Sequence, residues 1–132
     1  MLFIRQNVLA ILWSIIIIIL CSIPGQEFPD TSFLDIPQLD KIIHFCLYLI
    51  LSILTVKGFY TQDYISFLAK YSYAFSVVYS ICLGIIIELL QHYFIPFRAG
   101  DVYDVFANVG GSITGTLFIY YKLIPRYFLL DN

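Results

Sequence analysis

The chain has 132 residues, 61% of them hydrophobic and 12% charged, with a formal net charge of -2 and a mean hydropathy of +0.89. A water-soluble domain carries about 25% charged residues, so water is the wrong solvent for most of this surface and a soluble enzyme or scaffold is excluded. The basic residues are few and scattered, which leaves no footprint for nucleic acid.

A membrane-spanning helix needs roughly 17–25 mostly apolar residues. The first run, Gln6 to Gln26, carries no charge and contains "WSIIIIILCSI". Its β-branched isoleucines do not oppose a helix, because in lipid the backbone must satisfy its hydrogen bonds within the segment. The small-x-small pattern of a signal cleavage site does not follow it, and Leu20 before Cys21 is wrong for a lipoprotein, so the segment is expected to stay as a helix that Pro24-Gly25 ends. The second run, Ile42 to Val56, lies between Lys41 and Lys57 and is slightly short. The third, Tyr71 to Phe97, is broken by Glu88 alone, and the fourth, Val105 to Tyr121, is clean. The spacing predicts an all-α membrane protein, a single domain over 1–132, with four transmembrane helices at about 6–24, 40–57, 71–95 and 103–122.

Loop charges orient the bundle. Arg5, Lys57, Lys70, Lys122 and Arg126 fall on one side, against Lys41 and Arg98 on the other. The positive-inside rule then puts both termini in the cytoplasm. Tyr60, Tyr64, Tyr120, Tyr121, Tyr127 and Phe128 fit an aromatic belt at the inner interface, and "GFYTQDYISFLAK" between helices two and three is weakly amphipathic enough to lie along it.

Three clusters of polar residues then converge on the extracytoplasmic face: Asp40, Lys41 and His44 at the start of the second helix, Glu88, Gln91 and His92 near the end of the third, and Asp104 and Asn108 near the start of the fourth, with Arg98 and Asp101 in the intervening loop. At a rise of 1.5 Å per residue, Glu88 lies ~10 Å below its helix end and His44 and Asn108 ~5–6 Å inside. Gly84, Glu88, Gln91 and His92 share one helical face, and Asp104, Asn108, Gly111 and Gly115 share another. Gly111-x-x-x-Gly115 is a small-xxx-small seam that lets a neighbouring backbone approach, with Gly84 as a third packing glycine. An unpaired charge inside a membrane helix costs roughly 2.5–3.5 kcal/mol on insertion scales, so these groups should pair with one another. Glu88 is expected to take a cation, Arg98 or Lys41, and Pro96 permits the chain to fold back over the helix end.

Three readings of the constellation compete. It could be polar glue between helices; a pocket in which Arg98 and Lys41 meet an anionic headgroup while carboxylates and Asn108 meet hydroxyls or amides; or a hydrolase or transferase site with Glu88 as general acid or base. There is no recognised catalytic motif, which favours binding over catalysis. With two histidines and no HExxH, no metal and no cofactor are expected. Cys21, Cys46 and Cys82 form no CxxC and read as packing residues, and Ser52, Thr55 and Ser80 as back-bonded or packed.

"DKIIHF", "IELLQ" and "PFRAGDVYDVFANVGGSITG", in that order, resemble the VanZ-like family of small bacterial membrane proteins. The matching positions are Asp40, Lys41, His44 and Phe45; Glu88 and Gln91; and Pro96, Arg98, Asp101, Asp104, Asn108, Gly111 and Gly115. Trp13 and Pro24 also sit where such proteins carry Trp and Pro, whereas His92 lies outside the pattern and Ser112 stands where Ala is common. The founding member is associated with reduced susceptibility to the lipoglycopeptide teicoplanin, a property that does not transfer to this chain as its task. What the resemblance implies is a polar cluster at the outer face of a four-helix domain. The partners expected there are membrane lipids and a lipid-linked cell-wall precursor or lipoglycopeptide.

Overall fold

The computed structural model describes residues 2–23, 38–95 and 101–128. Its secondary structure is helical throughout: α1 Leu2–Cys21, α2 Leu39–Thr61, α3 Ser66–Lys70, α4 Ser72–Phe94 and α5 Val102–Phe128. Pro24, Pro96 and Arg98 lie outside the described residues.

Among the described residues, three helices, taken as Phe3–Cys21, Leu39–Thr61 and Ser72–Phe94, are long and apolar enough to cross a membrane. The second is not short. It runs through Lys57, which stays exposed near the helix end, so a charge that looked like a boundary sits inside the helix. α5 has the length, since 27 residues span ~40 Å. It does not have the apolarity of the other three. Asp104, Asn108, Ser112 and Thr116, four residues apart, form a buried polar stripe along it. Phe106, Ile113, Leu117 and Phe118 are exposed on its other sides. A polar stripe inside and apolar side chains outside is the arrangement that lipid, rather than water, selects.

α2 is the centre of the bundle, and α1, α4 and α5 all pack on it. The apolar core joins Ile17 and Cys21 of α1, Leu47, Tyr48 and Leu51 of α2, and Ile87 of α4, with Trp13 and Leu83 against it. Cys46 and Cys82 face outward, so only Cys21 is a packing cysteine. Helix-to-helix hydrogen bonds reinforce this core. The Trp13 indole N–H donates to the Leu47 carbonyl at 2.9 Å, and the hydroxyls of Ser14 and Tyr79 lie 2.8 Å apart.

The α2–α5 seam is the tightest. A Cβ on Gly111 would run into the Phe45 carbonyl and come 3.0 Å from the Leu49 nitrogen; one on Gly115 would meet the Leu49 carbonyl and the Ser52 hydroxyl. α4 approaches α2 across buried hydroxyls. Ser72, Ser76 and Ser80 are fully buried, Ser76 donates to the Ser52 carbonyl at 2.9 Å, and the Thr55 and Ser76 hydroxyls bond one another. Thr55 and Ser52 back-bond as expected, but Ser80 Oγ is buried with no hydrogen-bond partner.

At the opposite end from the polar cluster, Gln62 turns the chain into α3. Its Oε1 accepts the N–H groups of Tyr64 and Ile65 at 3.0 and 2.8 Å, and its Nε2 donates to the Ile65 carbonyl at 2.7 Å. The amphipathic segment is thus a short helix, with Phe67 packed edge-on against Phe75 at a centroid distance of 5.6 Å.

Candidate functional site

The start of α2, the end of α4 and the start of α5 meet at one end of the bundle. Asp101 immediately precedes α5, and its Oδ1 accepts the Tyr103 N–H at 2.9 Å and so caps the helix. The Asp101 N–H donates to Glu88 Oε2 at 3.1 Å and ties this start to α4. Lys41 reaches over from α2, its Nζ 2.8 Å from Asp101 Oδ2 and 3.2 Å from Asp104 Oδ1. The first contact is a hydrogen bond. The second has the distance of an ion pair but not the direction of a hydrogen bond, and Asp104 Oδ1 is left without a donor. Asp101 lies ahead of the helix, and the Lys41 ammonium and the Tyr103 N–H hold its carboxyl below the usual carboxylate range.

His44, one turn after Asp40, is buried between the helices. Its Nδ1 lies 3.1 Å from Asn108 Oδ1 and 3.9 Å from Glu88 Oε1, and its Nε2 lies 3.7 Å from Asp40 Oδ1. Asn108 fits because Gly84 faces it: a Cβ there would lie 3.0 Å from Asn108 Nδ2. Glu88 is therefore not paired with Lys41. Lys41 stands at the rim over α5, and Glu88 lies deeper, where a backbone N–H and the imidazole edge meet it. Arg98, the other expected partner, lies outside the described residues.

Of the polar residues expected at this face, Asp40, Lys41, His44, Glu88, Asp101, Asp104 and Asn108 stand together. Gln91 does something else. Its Nε2 donates to the Cys21 carbonyl at 2.9 Å, satisfying one of the acceptors that the end of α1 leaves open. Beside Glu88 and Asp101 lies a cavity of about 220 Å³ walled by Ile85, Leu89, Val102 and Val105, with His92 also on its lining. The sequence placed His92 on the face of Glu88 but outside the family pattern, and it does line this cavity.

A family model described as VanZ/LLP1 matches residues 3–125, nearly the whole chain. The chain belongs to the VanZ/LLP1 family. Searches of curated proteins and of solved structures give no significant match. The matched span includes every residue of the VanZ/LLP1 chain's polar cluster and the glycine seam beneath it. With three helices of spanning length and apolarity, the chain is a VanZ-like membrane protein.

Chemically, this end of the VanZ/LLP1 protein sets Glu88, Asp101 and the His92 imidazole on an otherwise apolar-walled space, with Lys41 bonded to Asp101 and His44 beside Glu88. Such a site can hold an amphiphile by both ends. Its polar part would meet Lys41, Asp101 and the groups around His44, and its apolar part would run along Ile85, Leu89 and Val102, which are themselves exposed.

Proposed function

We propose that this VanZ-like protein binds a lipid-linked, phosphate-bearing molecule of the cell envelope at the polar end of its bundle. The observation that carries the reading is the cavity beside Glu88 and Asp101, which joins an apolar wall to a charged rim. Pure helix glue has no need of such a space. A fourth span in α5 and the positive-inside count support a location for this end at the outer leaflet of a bacterial plasma membrane, with both termini in the cytoplasm. A lipid-linked cell-wall precursor or a lipoglycopeptide fits there, because each joins an apolar tail to a large polar head. Binding rather than turnover is favoured: Glu88 Oε2 accepts a main-chain N–H, so one of its oxygens serves the fold.

Two measurements test this. On a background lacking the native thiols, a membrane-impermeant maleimide applied to intact cells is expected to label Gln26→Cys and to spare Asp63→Cys. Asp63 is chosen because it is exposed, while Gln62 is buried. The reverse pattern would put the cluster at the cytoplasmic face. For binding, native mass spectrometry of the detergent-purified chain is expected to retain a polyprenyl phosphate at least tenfold better than the corresponding alcohol. Equal retention of the two would show that only the tail is recognised.

A further inference from the structure

We infer that Asp40, His44 and Asp104 form a divalent-cation site at the polar end of the bundle. One ligand atom from each of these residues lies within 4.8 Å of the others. α2 presents Asp40 and His44 one turn apart, and α5 brings Asp104 to them in its first turn. Two donors at metal–ligand distances of about 2.1 Å can be at most about 4.2 Å apart, so closure onto an ion asks for a shift of somewhat under 1 Å at the widest pair. Asp40, with a side chain 56% exposed, is the ligand freest to move.

The imidazole is set for this. Asn108 Oδ1 accepts at the Nδ1 edge of the ring, 3.1 Å away, which leaves the Nε2 lone pair toward Asp40. Metal-binding histidines are ordinarily oriented in this way, with the second nitrogen held by an amide or carboxylate oxygen.

A separate observation points to a ligand. The Asp104 side chain is only 6% exposed, yet its Oδ1 receives no hydrogen bond. A buried carboxylate oxygen without a donor is costly, and native structures meet such atoms with a donor, a water or an ion. Lys41 Nζ meets this oxygen as an ion pair at 3.2 Å, while its hydrogen bond goes to Asp101. The other side of the imidazole repeats the pattern: Glu88 Oε1 is buried and also without a donor. The charge balance runs the same way. Asp40, Glu88, Asp101 and Asp104 face Lys41, and even with Arg98 included the acids exceed the bases by two. Two carboxylates and one imidazole suit a divalent d-block ion such as Mn²⁺ or Zn²⁺ better than Mg²⁺ or Ca²⁺, which take oxygen alone.

The cation also resolves a difficulty at the rim. A cluster with excess carboxylates repels a phosphate, while a bound divalent ion attracts one. This bridging role, unlike the cation site itself, rests on the headgroup reading above.

The test uses the full chain in neutral detergent with Mn²⁺ as the probe. One Mn²⁺ per chain is expected, with electron spin-echo modulation from a directly bound imidazole nitrogen. Asp40→Asn should weaken Mn²⁺ at least tenfold without lowering the melting temperature, and His44→Gln should remove the nitrogen modulation. No Mn²⁺ or Zn²⁺ binding below millimolar, no nitrogen modulation in the wild-type chain, or unchanged affinity in Asp40→Asn would each overturn the site. A second arm repeats polyprenyl-phosphate retention with EDTA, which should abolish it. Retention that persists in EDTA overturns the bridging role. Mn²⁺ binding with no phosphate retained under any condition overturns the headgroup reading and leaves the cation site standing.

Discussion

Lys41→Met should lower the melting temperature of the purified protein substantially, and Lys41→Met/Asp104→Leu should recover it. Lys41 is the cation that both Asp101 and Asp104 face, and Asp104 is deeply buried. Removing one partner of a buried pair costs roughly 3–5 kcal/mol, and replacing both with apolar residues of similar shape is often neutral. The lower end, about 3 kcal/mol, is expected here because Lys41 remains 29% exposed and is partly solvated. The double variant separates scaffold from site. It should melt like wild type and still fail to retain the polyprenyl phosphate. If it retained the lipid as well as wild type does, the cluster would be glue between helices and the binding proposal would fall.

Gly111→Ala should be as damaging, and for a different reason. The added methyl would occupy the place of the Phe45 carbonyl, a main-chain atom that no rotamer change can move. α2 and α5 would have to separate along their tightest seam, and overpacking of this kind costs about 1–3 kcal/mol or more. Gly110→Ala is the control. Its methyl would meet the Phe45 ring at 3.6 Å, an ordinary contact, and alanine is favoured over glycine in a helix by roughly 0.5–1 kcal/mol. Thermal melts of the two variants in one detergent decide the matter. Equal melting temperatures would refute the close-packed seam.

The seam was legible in the sequence because Gly111-x-x-x-Gly115 has a physical meaning of its own: two missing side chains on one face admit a backbone. The meeting of α2, α4 and α5 was legible too, since length and apolarity fix where helices end, and antiparallel neighbours then bring alternate ends together. Partner choice was not legible. Lys41 and Glu88 looked complementary by charge, but pairing depends on how deep each side chain sits, and the one-turn difference that hands Lys41 to Asp101 and Asp104 is not written in either helix alone. Gln91 shows the same limit from the other side. Its spacing from Glu88 put it on the polar face, yet that face also passes the end of α1, whose open carbonyl claimed it. The cation triad was not legible because Asp40, His44 and Asp104 come from two helices and form no sequence motif. Asp101 carries two roles that the sequence merges, since the same carboxyl caps α5 and receives Lys41.

The seam of Gly111 and Gly115 has one more consequence. Main chain resting on main chain cannot slide without lifting a whole helix over a row of carbonyls, so α2 and α5 make a stiff keel. α4 meets that keel through small hydroxyls and Gly84, a smoother track, and its outer flank with α5 holds the apolar-walled cavity. On the headgroup reading, a tail in that cavity would lie along the flank of α4 and α5, against side chains that already face outward.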